Sequence, residues 1–160
     1  MGRRYGFTLL ELMIVIAIIS IIAAIAIPNL MAARMAGNET NAIGALKTIA
    51  AAETMFNEGD REGDGNLDYG MLSELSNAVL IDSVLGTGTK AGFLFQVSYS
   101  FVSSEYLWFG VANPALPTMT GERYFSINMG GAIFYTSTTS LKTDTNTCIL
   151  PNNGVSVTGK

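Results

Sequence analysis

The sequence predicts an α+β protein: one long N-terminal helix packed on a four-stranded antiparallel sheet. Three observations carry this reading. Residues 7–27 are an apolar run in which Thr8, Glu11 and Ser20 are the only polar side chains. Beyond Pro28 the helical period persists, with Ala42, Ile43, Leu46, Ile49, Ala50 and Phe56 at three- and four-residue spacings. From Phe93 the period becomes two: Phe93, Phe95, Val97, Tyr99 and Phe101 alternate with Leu94, Gln96, Ser98 and Ser100.

The helix is expected from about Phe7 to Asn57. Its first part, residues 7–28, is apolar all round and needs lipid or other helices on every side. At 1.5 Å per residue the run reaches roughly 30 Å, the thickness of a bilayer's hydrocarbon core. Its second part, residues 29–57, carries a single apolar stripe opposite Asn38, Thr40, Lys47, Thr48 and Glu58, so a folded domain must cover one side. Pro28 removes a backbone donor and should kink the helix, and Gly37 and Gly44 weaken it further.

The head occupies residues 58–160, joined to the helix by the polar stretch NEGDREGDGNLDYG at 57–70. A short helix is expected over 71–79, with Met71, Leu72, Leu75 and Val79 on one side, and GTGTKAG at 86–92 reads as a loop. The four strands are residues 93–101, 106–111, 122–128 and 132–136. They are separated by a turn at Ser103-Ser104, a Pro114- and Pro117-bearing connection over 113–121, and a turn at Gly130-Gly131. This meander has one apolar face, and packing it on the amphipathic half of the helix satisfies both. The Thr-, Ser- and Asn-rich tail from Ser137, with Leu141, Cys148, Ile149 and Leu150, is expected to lie over the sheet as an irregular coat.

Composition removes several function classes. The chain has 160 residues, 49% of them hydrophobic, and a formal net charge of −4 with its acids almost wholly beyond the apolar run. No basic stripe is available to neutralise phosphates, which argues against nucleic-acid binding. There is no His, and Cys148 is the single cysteine. An intramolecular disulfide, a thiolate–imidazole zinc site and a His-assisted nucleophile are therefore all excluded, and no catalytic residue is assigned. For Cys148 a buried apolar thiol is expected, with an intersubunit bridge as the alternative.

The N-terminal run admits three readings. Arg3 and Arg4 precede it, so the positive-inside bias places the N-terminus in the cytoplasm. A cleaved secretory signal would have a shorter apolar core ending in small residues. A plain membrane anchor fits the length but leaves Glu11 unexplained, since a carboxylate at membrane depth costs about 2.5–3.5 kcal/mol. In the third reading a short basic leader, residues 1–6, is removed and the apolar helix is kept.

Gly6-Phe7-Thr8-Leu9-Leu10-Glu11, followed by the apolar helix and Pro28, closely resembles the class III signal of type IV pilins and pseudopilins. The resemblance covers roughly the first thirty residues. It implies cleavage between Gly6 and Phe7 by a membrane prepilin peptidase, and N-methylation of the new Phe7 amine. It further implies a pilin-like lollipop fold and assembly into a helical homopolymer through Phe7, Glu11 and Pro28, driven by inner-membrane pilus machinery. In such a stack Glu11 of one subunit can face the Phe7 amine of another. Pairing two charges in low dielectric is strongly favourable relative to leaving either alone, so Glu11 would reward extraction from lipid and set axial register. The competing reading is a carboxylate that snorkels to the interface.

The function expected from this is a structural subunit of an extracellular type IV pilus-like filament, held in the bacterial inner membrane as a precursor. The alternative is a type II secretion pseudopilin in a short periplasmic pseudopilus. Major pseudopilins usually carry a calcium loop after the sheet, whereas here the acidic cluster precedes it and the tail holds only Asp144 as an acid.

That cluster is the one constellation suited to a ligand. Asp60, Glu62, Asp64, Asn66 and Asp68 place oxygen donors at every second position, with Gly63 and Gly65 between, like the first half of an EF-hand-type calcium loop. The closing Glu is replaced by Met71. A solvated acidic connection is the expected state, and calcium is the candidate cofactor against it.

Overall fold

The computed structural model describes residues 6–59, 67–99, 107–137 and 156–157. The chain divides into two units, Met1–Arg34 and Met35–Lys160. Helix α1, Leu9–Glu58, contributes to both.

In the first unit α1 begins just after Thr8, two residues later than expected, and stays helical through Pro28. Pro28 supplies no N–H to the turn below it, yet the element does not end there. The large apolar side chains of this unit are exposed, among them Leu10 at 68%, Ile18 at 53% and Ile25 at 64%. Ser20 turns its hydroxyl back onto the Ile16 carbonyl (2.7 Å), so the polar group within the apolar run is satisfied by its own helix. This is a helix long and apolar enough to cross a membrane.

In the second unit α1 buries Ala42, Ala45, Leu46, Ile49, Ala52 and Phe56, with Ile43 and Ala50 at the margin. The stripe follows the one the spacing predicts, with four additions, Glu39, Ala45, Ala52 and Glu53. Helix α2 is Leu72–Asn77 and α3 is Ser83–Gly86. Glu74 starts α2 by accepting from the Met71 amide at 2.6 Å. Asp82 caps α3 through the Leu85 amide at 3.0 Å and forms an ion pair with Lys90.

Among the described residues the sheet has six strands in sequence order: β1 Thr89–Lys90, β2 Phe93–Tyr99, β3 Trp108–Pro114, β4 Tyr124–Asn128, β5 Ile133–Thr136 and β6 Ser156–Val157. Every neighbouring pair is antiparallel. Register puts Phe95, Ala112, Phe125 and Tyr135 in one row across the sheet, and Val97, Gly110, Ile127 and Ile133 in the next. These rows and the α1 stripe belong to one core. At Gly110 a Cβ would stand 3.1 Å from the Ile127 side chain of β4, and only in ordinary contact, 3.7 Å, with Leu46 of α1.

Three expectations are corrected. The predicted loop over 86–92 holds strand β1, because Ala91 and Gly92 both adopt positive φ (49° and 75°) and close a two-residue hairpin. Two strand residues are too few to show a period, and Ala91 is not the Asn or Asp that usually announces such a turn. The second expected strand extends to Pro114, which sits at the strand's end opposite Phe93, where a missing N–H is tolerated. Within the tail, Ser156 and Val157 pair with Tyr135 and Phe134 rather than forming irregular coat. The turn at Ser103-Ser104, residues 60–66, and Leu141, Cys148, Ile149 and Leu150 lie outside the described residues.

The sheet's second face also buries apolar groups. Phe109 and Val111 form a small cluster there with Tyr124, so β3 is buried on both faces. A strand covered on both sides loses the alternation that half-buried β2 displays.

Candidate functional site

The predicted assembly residues lie in the first unit. Gly6 is open, with nothing within 4 Å of where a Cβ would sit, and Phe7 is 85% exposed. Both flanks of the expected cut are therefore exposed and outside any helix, ahead of α1. A peptidase needs that, because helical backbone must unwind before it can be cleaved.

Glu11 does something the sequence reading did not anticipate. Its Oε2 accepts from the Thr8 amide (2.8 Å) and from the Thr8 hydroxyl (2.7 Å), while the Glu11 amide donates to Thr8 Oγ1 (3.2 Å). Thr8 is thus the N-cap of α1 and Glu11 its third residue, a reciprocal capping box. The signal was legible, since Thr-x-x-Glu before an apolar run is the pattern that announces one. The carboxylate is also held near the positive end of the helix dipole. Glu11 is therefore compensated within its own subunit by Thr8, the residue next to Phe7.

In the second unit two buried carboxylates organise the head. Glu39 is 6% exposed, and its Oε1 accepts from the Glu122 and Arg123 amides at 2.9 and 3.0 Å. Its Oε2 takes Arg123 Nε at 2.8 Å, and the guanidinium closes to 2.6 Å. Burial opposes ionisation of Glu39, but the Glu122 amide and the Arg123 side chain and amide outweigh it and hold the carboxyl below its ordinary range. Arg123 also lies over the rings of Phe125 and Tyr135 at 5.5 and 5.4 Å. The residue preceding Glu39, Asn38, donates from Nδ2 to the Thr120 carbonyl at 3.0 Å.

Glu53 is fully buried. Its Oε2 accepts from the Gly70 amide at 3.0 Å, and among the described residues its Oε1 has no hydrogen-bond partner. Burial pushes the carboxyl up to about 8; the Gly70 amide works against this and the Glu74 charge adds to it. Spacing could have flagged both acids, since Glu39 and Glu53 stand three before Ala42 and four after Ile49, on the apolar stripe.

Of the candidate calcium ligands, Asp68 is described, while Asp60, Glu62, Asp64 and Asn66 lie outside the described residues. Among the described residues no group of three His, Cys, Asp or Glu side chains could hold a metal ion. The calcium set stays an expectation of the sequence.

Residues 1–27 match the prokaryotic N-terminal methylation motif. Over this segment the chain is similar to type IV pilins and to type II secretion core proteins. The relatives agree. A type IV major pilin protein of Myxococcus xanthus is 43% identical over 76 residues, 47% of this chain and 34% of the relative. A type IV wide pilus major component of Thermus thermophilus is 48% identical over 56 residues, 35% of this chain and 43% of the relative. A type II secretion system core protein G of Pseudomonas aeruginosa is 43% identical over 54 residues, 34% of this chain and 38% of the relative. The matches therefore span less than half the length of these relatives. The α+β architecture that the resemblance implies, a long apolar N-terminal helix with an antiparallel sheet, is the one found here.

Proposed function

We propose that the chain is a structural subunit of a type IV pilus-like extracellular filament. Prepilin peptidase cuts it between Gly6 and Phe7, Phe7 is N-methylated, and inner-membrane assembly machinery lifts α1 from lipid into a homopolymer. The observation that carries this reading is the N-terminal motif, whose leader meets an exposed Gly6–Phe7 junction directly ahead of an apolar helix. The first-unit stretch of α1, whose large side chains are exposed all round, needs lipid first and neighbouring helices afterwards. The relatives named as structural components rather than enzymes support a role without catalysis.

The test is the N-terminus of the filament protein. Sequencing should begin at N-methylated Phe7, and loss of Arg3 and Arg4 should move the side-chain charge from −4 to −6. A product starting at Met1 or beyond Ile27 would overturn the reading. The second reading, a periplasmic pseudopilus subunit, has the likeness to the secretion core proteins in its favour. Negative-stain images separate the two, because long shed filaments built of this chain belong to the first alone.

A further inference from the structure

We propose that Glu53 is a proton-operated latch: its neutral carboxyl fastens residues 67–71 onto α1, and its carboxylate form releases them. The geometry begins with chain entry into the head. After the acidic connection the backbone returns to α1 at Leu67, whose carbonyl accepts from Asn57 Nδ2, and at Gly70, whose amide donates to Glu53 Oε2. Gly70 is pressed against the helix, since a Cβ there would stand 3.1 Å from the Phe56 ring. Tyr69 packs on Trp108 with ring centroids 6.2 Å apart. The segment then leads into α2 through Met71, whose amide is held by Glu74. Glu53 is thus the one ionisable group of α1 that grips this re-entry point.

Its second oxygen decides its state. A buried carboxylate needs donors on both oxygens or a counter-charge, and among the described residues Oε1 has neither. The ionisable groups acting on Glu53 from the packed elements are Tyr69, ahead of α2, and Glu74, on α2. Glu74 is an acid, so it disfavours a second negative charge. Among the described residues none of the groups acting on Glu53 is a cation. The neutral acid keeps the Gly70 bond without burying charge. Ionisation makes burial untenable, and the side chain reaches water only by giving up Gly70.

Linkage sets the expected numbers. The carboxyl titrates at the ordinary 4.5 when the segment is open and at about 8 when it is closed. The open population should then rise about tenfold per pH unit between those values and level off above them. Hydrogen exchange on the full chain in detergent micelles, followed at the Gly70 and Met71 amides and corrected for intrinsic rates, reads this directly. Wild type should show about a hundredfold more opening at pH 7.5 than at pH 5.5. Glu53→Gln should be flat over the same range. Glu74→Gln keeps the Met71 cap but removes the like charge, so its levelling-off should move to lower pH with the slope retained. A wild type without slope, or a slope that survives Glu53→Gln, overturns the latch. So does protection that appears on adding calcium and vanishes with chelator, since Oε1 would then belong to a cation.

Discussion

At Glu11 one side chain carries two assignments, and a pair of substitutions separates them. In the subunit it closes the capping box with Thr8; in an assembled stack it would face the Phe7 amine of a neighbour. Glu11→Gln keeps a carbonyl oxygen for the Thr8 amide but removes the charge, whereas Thr8→Ala removes the cap at a cost of about 1 kcal/mol and leaves the charge. We expect Glu11→Gln and Glu11→Ala to insert and be processed normally yet yield few filaments. Thr8→Ala should assemble at a modestly reduced level. Filament mass sheared from cells, against precursor and mature bands in membranes, measures both. Wild-type yield from Glu11→Gln would reduce the carboxylate to a helix cap. Val79 gives a second residue-scale case. It ends α2 in a Schellman motif, its amide bonded to Ser76 and the Leu80 amide to Leu75, at φ 59° and 87% exposed. A β-branched residue in that conformation is strained by roughly 1–2 kcal/mol, part of which Gly returns through its freer unfolded chain. Val79→Gly should raise stability by about 0.5–1 kcal/mol, a Tm gain of roughly 4 °C or less. A lower Tm would mean that the side chain makes a contact the strain is held for.

Between elements, the joint that matters most is α1 to the start of β4. Glu39 on the helix answers two backbone amides and the Arg123 guanidinium, so four donor contacts converge on one carboxylate. Removing it leaves two amides and a charged group without their acceptor. Glu39→Ala should therefore cost about 2–3 kcal/mol, measured as a shift in denaturant midpoint at constant m-value. The deficit should also depend on pH with a definite sign. The folded-state pKa of Glu39 is depressed, so its contribution is present above the ordinary carboxylate range and is lost as pH falls through its folded value. The gap between Glu39→Ala and wild type should consequently narrow in acid. A constant gap would place its value in packing rather than in charge. The same helix face shows why acids can stand on an apolar stripe: each meets backbone N–H groups of a returning chain.

For the whole molecule these two acids pull in opposite directions. Glu53 has a raised folded-state pKa, so the stability it allows is complete below 4.5 and is lost as pH rises towards about 8. Each pH unit in that window withdraws at most about 1.4 kcal/mol. Glu39 fails in acid and Glu53 in mild alkali, so the head should be most stable in weakly acidic solution. A pH series of thermal melts on wild type, Glu39→Ala and Glu53→Gln locates both limbs. The acid limb should disappear with the first substitution and the neutral-to-alkaline limb with the second. Above the window Glu53→Gln should be more stable than wild type, because an amide carries no charge to bury.

The sequence by itself determined the membrane-length helix, its amphipathic continuation, and the alternation in β2, because those depend on local period. It also carries the proposal of processing between Gly6 and Phe7, because the leader motif is contiguous and a resemblance can be read along it. The capping box of Thr8 and Glu11 was equally legible, being a four-residue pattern. Only the tertiary structure decided that 86–92 holds an edge strand, that β6 adds a sixth, and that β3 is covered on both faces. Two-residue strands have no period, and a doubly buried strand shows no alternation. It also decided the fates of Glu39 and Glu53. Their positions on the stripe said that they would be buried, but not what would meet them. Arg123 and the Glu122 amide arrive from more than eighty residues away, while a single Gly70 amide reaches Glu53. The same residue type is thereby held ionised at one point of α1 and kept neutral at another, since the sign of a carboxyl's pKa shift is set by donors that only the folded chain assembles.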